Sequence, residues 1–105
     1  MENFQARRLE FHTKLAEALG SEEVAFQPDS DHLMNYPCIV YELDNASSKY
    51  ANNMPYGWIP RYQVTLIDYD PDNDVKTKLA HFPNSSFNRH FATSGLNHDV
   101  FVIYH

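Results

Sequence analysis

The stretch Arg61-Tyr62-Gln63-Val64-Thr65-Leu66-Ile67-Asp68-Tyr69-Asp70-Pro71-Asp72 constrains the fold more than any other, because the side-chain period changes within it. Tyr62, Val64 and Leu66 alternate with Arg61, Gln63 and Thr65, the period of two that gives a strand one face on a core. Asp70 then stands where a helix N-cap belongs. Pro71 suits the first helical position, where its missing N–H would have had no partner in any case. Asp72 and Asp74 place negative charge at the positive end of the helix dipole. Val75 and Leu79, four apart, supply the apolar stripe of a short helix predicted over Pro71 to His81, ending before Pro83.

The rest of the chain adds elements on both sides of this junction. Phe4, Phe11, Leu15, Ala18 and Leu19 line one face of an amphipathic helix from about Asn3 to Leu19, which Gly20 ends. Val24 to Phe26 reads as a short strand before the polar loop from Pro28 to Asn35. Cys38 to Leu43 is apolar without alternation, which suggests a central strand buried on both faces. Pro60 fits the start of the third strand, which runs to Tyr69. Phe87, Arg89 and Phe91 alternate on a fourth strand, Thr93-Ser94-Gly95 makes a turn, and Val100, Val102 and Tyr104 alternate with Phe101 and Ile103 on the return. A last strand apolar on both faces belongs inside a sheet. The expectation is one α+β domain over residues 1–105: a mostly antiparallel sheet of four to six strands with two helices packed on one face.

Composition narrows the partners. A chain of 105 residues buries about two-thirds of its unfolded surface, enough for one modest core that folds without staples. With 14 acidic against 8 basic residues, the net charge of −6 gives no footprint for gripping nucleic acid through its phosphates. A surface that DNA merely passes would gain from that sign, since repulsion prevents sticking. The single Cys38 excludes an intramolecular disulfide and reads as a buried, inert thiol. The N-terminal residues lack the apolar core of a signal peptide, and no apolar run is long enough to span a bilayer, so a cytosolic protein is expected.

Six histidines and many aspartates invite tests for chemistry. His90, His98 and Asp99 approach one another if the terminal hairpin sets residue 90 opposite residue 99, but a slip of one residue sends their side chains to opposite faces. Exposed cross-strand polar pairs are the simpler expectation. Asp68, Asp70, Asp72, Asn73 and Asp74 resemble a calcium loop superficially, yet no glycine stands at its sixth position and no acid at its twelfth. Capping and dipole compensation account for them. No phosphate loop, nucleophile elbow or His-Glu-x-x-His motif occurs. The expectation is a protein that is not an enzyme, with no catalytic, cofactor-binding or metal-binding residues.

The segment from Asp44 to Trp58 is rich in turn formers and still carries Tyr50, Met54, Tyr56 and Trp58. A loop or short edge hairpin of this kind either folds back on its own core or reaches a partner. Aromatic side chains suit both.

Five motifs taken in order, Asn35 to Tyr41, Tyr50 to Asn53, Tyr62 to Asp72, Ser86 to Arg89 and Asp99 to Tyr104, resemble the small tail-completion proteins of long-tailed bacteriophages, specifically tail terminators of the head–tail junction. The similarity covers residues 33 to 105, and the first helix fits that family only in being amphipathic. The resemblance implies an α+β subunit that forms a hexameric ring on the head-proximal end of the tail tube. Such a ring stops tube polymerisation and presents the docking face for the head. The implied partners are other copies of the chain, the tail tube protein and a neck or head-completion protein. DNA would pass through the ring without specific binding, no membrane is involved, and the site of action is the virion. Under that reading Tyr50, Asn52, Asn53, Met54, Tyr56 and Trp58 are candidate interface residues. Arg61 and Arg89 join them as candidates for buried pairs at subunit edges, since arginine binds carboxylates with two parallel bonds. Two alternatives stand beside it: a neck protein of the same junction, and a small soluble α+β binding module or enzyme.

Overall fold

The computed structural model describes residues 4–51 and 54–105, with side chains described for 4–46 and 58–105. The elements in chain order are α1 (Phe4–Leu19), β1 (Val24–Phe26), β2 (Cys38–Ala51), β3 (Met54–Asp68), α2 (Val75–Ala80), β4 (Ser85–Thr93) and β5 (Leu96–Tyr104). They form an α+β fold around one five-stranded sheet of order β1-β2-β3-β5-β4. Only β1 and β2 run parallel; the other neighbours are antiparallel.

The helix in α1 follows from its apolar spacing. Phe11 and Leu15, one turn apart, are fully buried, and Phe4, Ala16 and Leu19 pack at the margin of the same cluster. Phe11 stacks on Tyr62 at 4.8 Å and meets Tyr41 edge-on at 5.7 Å, so α1 lies against the sheet where β2 and β3 carry those rings. Val75 and Leu79 of α2 enter the same cluster beside Leu66, Phe101 and Ile103. Gly20 ends α1 at φ 81°, a left-handed conformation that suits glycine, with its N–H donating to the Ala16 carbonyl at 2.8 Å.

The second helix starts later than its sequence predicts. Residues 71–74 are turn rather than helix, and α2 begins at Val75. Asp74 stands at the N-cap and makes no side-chain cap bond. The Val75 amide donates instead to Asn73 Oδ1 at 2.8 Å, an Asx turn just outside the helix, so the cap predicted at Asp70 is replaced by a turn closed by Asn73. Asp70 instead closes a local turn by accepting from the Asp72 amide at 2.9 Å, a conformation that Asp favours before a helix can begin.

Two further expectations change. The region from Asp44 to Trp58, read as a loop or short hairpin, continues strand pairing: β2 and β3 stay paired to Ala51 opposite Met54. β1 covers β2 only at Ile39–Tyr41, and β5 covers β3 only from Arg61 to Asp68, so beyond Asn45 and Arg61 the two strands have only each other as ladder partners. This two-stranded arm elongates the molecule to 51 × 23 × 23 Å. Its prolines are tolerated because the outer side of β3 there needs no N–H. In β4, a bulge between Phe87 and Arg89 breaks the expected alternation. Phe87 sits opposite Phe101, while Arg89 and Phe91 sit opposite Val100 and His98 on the other face. β5 does lie inside the sheet, between β3 and β4.

Candidate functional site

Ordered side-chain contacts gather at the root of the arm. Arg61 Nε donates to Asp44 Oδ1 at 2.9 Å and its Nη2 to Asp44 Oδ2 at 3.2 Å, the two-pronged geometry that fits guanidinium to carboxylate. Asp44 and, after it, Tyr104 push the Arg61 pKa further up. The charge is therefore spent within the chain, where β2 meets β3, and this partner in Asp44 was not anticipated. The bulge after Leu43 brings Asn45 opposite Arg61 and so moves Asp44 out of simple alternation.

Trp58 stands at the same root. Its ring meets Phe4 edge-on at 5.6 Å, and Arg7 Nη1 donates to its carbonyl at 2.7 Å. The Arg7 Nη2 donates to the His105 carbonyl at 2.7 Å, so one guanidinium joins α1, the arm and the chain's last residue. Trp58 remains 42% exposed: it is seated on its own fold and still offers surface. Asn52 and Asn53 lie outside the described residues, as do the side chains of Tyr50, Met54 and Tyr56.

Arg89 is exposed on β4, its guanidinium carbon 5.5 Å from the centre of the Phe91 ring. Phe91 stacks at 4.5 Å on His98 and is 40% exposed; Phe87 is 56% exposed. Their alternation in the sequence predicts a strand and does not mark them as surface residues. The signal that could have found them is their place on a strand with no apolar residue between them.

The histidine expectation holds in register and fails in convergence. His90 faces Asp99, and its Nδ1 lies 2.8 Å from Asp99 Oδ1. Lys76 Nζ lies 3.7 Å from the other oxygen, so the buried carboxylate has an imidazole on one side and a lysine on the other. His98 pairs one position along the strand and turns to the opposite face, against Phe91. Among the described residues no group of three His, Cys, Asp or Glu side chains is placed to hold a metal ion. The aspartates of the β3–α2 turn bind their own backbone and Asn73, whose Nδ2 donates to Asp68 Oδ2 at 2.6 Å.

One more polar cluster lies on the helix. His12 Nδ1 is 2.7 Å from the Tyr41 hydroxyl, whose oxygen accepts from Arg8 Nη1 at 3.3 Å. Burial first, and Arg8 second, lower the His12 pKa, opposed by Glu22; burial raises that of Tyr41. The groove beside it is lined by His12, Thr13, Glu17, Ser21 and Glu22; the Thr13 hydroxyl donates to the Leu9 carbonyl, Ser21 Oγ accepts from the Glu23 amide, and the His12 imidazole is turned to Tyr41. Cys38 is buried, with its thiol pushed up to about 11 by burial and by Glu23 and Asp68, the reverse of what a nucleophile needs. What the arrangement offers is surface: an arm, an exposed edge strand and aromatic side chains at both. Comparison with protein-family models finds no match, and comparison with curated protein sequences finds none either.

Proposed function

We propose that this chain is a structural subunit of a bacteriophage tail, the terminator that forms a ring on the head-proximal end of the tail tube, and not an enzyme. The observation that carries the reading is the two-stranded arm projecting from a small sheet, a device for reaching another subunit, combined with the ordered motifs from residue 33 to 105. The charge supports it. A subunit at −6, repeated around a ring, lines a passage that DNA crosses without adhering. The action is steric: one ring face matches the end of the tube, the other matches the neck.

Add-back to a terminator-deficient phage lysate tests this. The purified chain is expected to restore tails of uniform normal length, seen by negative-stain imaging. Overlong tails in its presence contradict the proposal. Normal-length tails that acquire heads only when the chain is added would instead identify a neck protein.

A further inference from the structure

β4 is the strand least suited to a subunit that stays single. It is the edge of the sheet, nine residues long, and every residue after Ser85 is exposed. It contains neither proline nor lysine, two residues that ordinarily blunt a free edge. Its bulge and the charge of Arg89 are the blunting devices it has. Beyond that bulge Arg89–Thr93 forms an unbroken ladder, Arg89 opposite Val100 to Thr93 opposite Leu96.

A second free edge lies on the other side of the molecule. β1 leaves β2 uncovered beyond Tyr41, and the bulges at Leu43/Asn45 and Lys49/Tyr50 enclose a regular stretch, Asn45–Lys49, of the same length as Arg89–Thr93. β2 has no proline there, so every residue keeps its N–H. The opposite flank of the arm, on β3, has Pro55 and Pro60 and cannot offer a complete ladder.

Charge favours a meeting of these unlike edges. β4 carries Arg89 and His90 and no acid, on a chain whose net charge is −6. Two copies of β4 paired antiparallel along their whole length would set Arg89 opposite Arg89, which is unfavourable. The receiving stretch Asn45–Lys49 carries Lys49 at its far end and no acid. Just before Asn45, however, the root of β2 presents the exposed Glu42 beside Asp44, whose carboxylate already holds Arg61, so the meeting is favourable with Arg89 at the Asn45 end and away from Lys49.

We propose that Arg89–Thr93 of β4 adds to the outer edge of Asn45–Lys49 in β2 of a second copy of this chain, extending one sheet across the boundary. The contact deepens the ring reading above and rests on it. Backbone hydrogen bonds hold the two edges, Phe91 and Arg89 flank them, and the arm is the shelf that receives the neighbour. Because the two edges face away from each other across the sheet, every copy uses one of each, and the repeat is head-to-tail. Such a contact closes into a ring when the rotation per copy divides a full turn.

Photo-crosslinking decides it. Phe91 is replaced by benzoylphenylalanine in the full chain, isotope-labelled and unlabelled copies are mixed, and the irradiated peptides are mapped by mass spectrometry. Crosslinks between copies that fall within residues 42–51 are the expected result. Crosslinks onto residues 85–93 of the other copy, or onto any other segment, overturn the proposal, and so does their absence from a sample that light scattering shows to be oligomeric; in each case the ring reading survives. A chain that stays monomeric at high concentration and on added tail tubes overturns both. Arg89→Glu gives a second route, expected to weaken self-association at least tenfold with an unchanged circular dichroism spectrum; unchanged association counts against the proposal.

Discussion

At the scale of single residues, the folded chain uses its ionisable groups to hold position. His12 shows this. Its neutral Nδ1 accepts from the Tyr41 hydroxyl, whose oxygen accepts from Arg8; a protonated ring would compete with Arg8 for that oxygen and leave two cations side by side. With its folded pKa below the ordinary 6.5, the unfolded chain takes up this proton first as pH falls. The contribution is therefore whole above 6.5 and is lost as pH falls through the folded value. Urea unfolding of His12→Gln between pH 8 and 5 should show a shallower fall in stability than the unsubstituted chain shows, and identical slopes would refute the assignment. Tyr62 makes the opposite point: it is fully buried with its hydroxyl lacking a partner among the described residues, and burial pushes its pKa up to about 12. Its ring, stacked under Phe11, is what the core uses.

At the scale of elements, the β3–α2 connection depends on Asn73. Its oxygen holds the first free amide of α2 and its nitrogen holds Asp68, so one side chain ties strand end to helix start. Asn73→Ala should lower stability by about 1 kcal/mol, measured by thermal unfolding, with a smaller effect from Asp70→Ala. An Asp70→Ala loss as large as that of Asn73→Ala would restore Asp70 as the cap. The period change at Arg61–Asp72 did locate a strand followed by a helix, because burial on one face leaves its mark every second residue. It could not locate the helix's first residue, since Asp70, Asn73 and Asp74 are all competent caps and only three-dimensional closure of the turn selects one. The interior place of β5 and the pairing of His90 with Asp99 were legible for the same reason: both follow from face and turn position. Bulges were not, because an extra residue leaves composition and local pattern unchanged while reversing every face beyond it.

At the scale of the whole molecule, the body meets the arm at its root, where Arg7 bonds the Trp58 carbonyl and Phe4 packs on the Trp58 ring. The buried cluster joins α1, α2 and the strands up to Leu43 and from Tyr62, and the ladder partners of the arm lie within the arm. Replacing residues 49–57 by Asn-Gly, a pair suited to a two-residue hairpin turn, should leave the melting temperature within about 3 °C, since the core cluster formed by the described residues draws on α1, α2 and the sheet outside that stretch. The same variant keeps Asn45–Ser48 and loses Lys49 with the tip, so it should form higher assemblies more weakly by light scattering; normal assembly would remove residues 49–57, and not the root of the arm, from any role in joining copies. The arm's reach was hidden in the sequence because its Asn, Ser, Pro and Gly content is that of a loop, and only the partner strand makes it a ladder. The bulge at Asn88 has a consequence of another kind. Upstream of it, Phe87 answers to Phe101; downstream, Phe91 and Arg89 answer to the opposite surface. The extra residue thus divides β4 into two modules that selection can alter independently, so a lineage can rewrite what the molecule presents to its neighbours without repacking its interior.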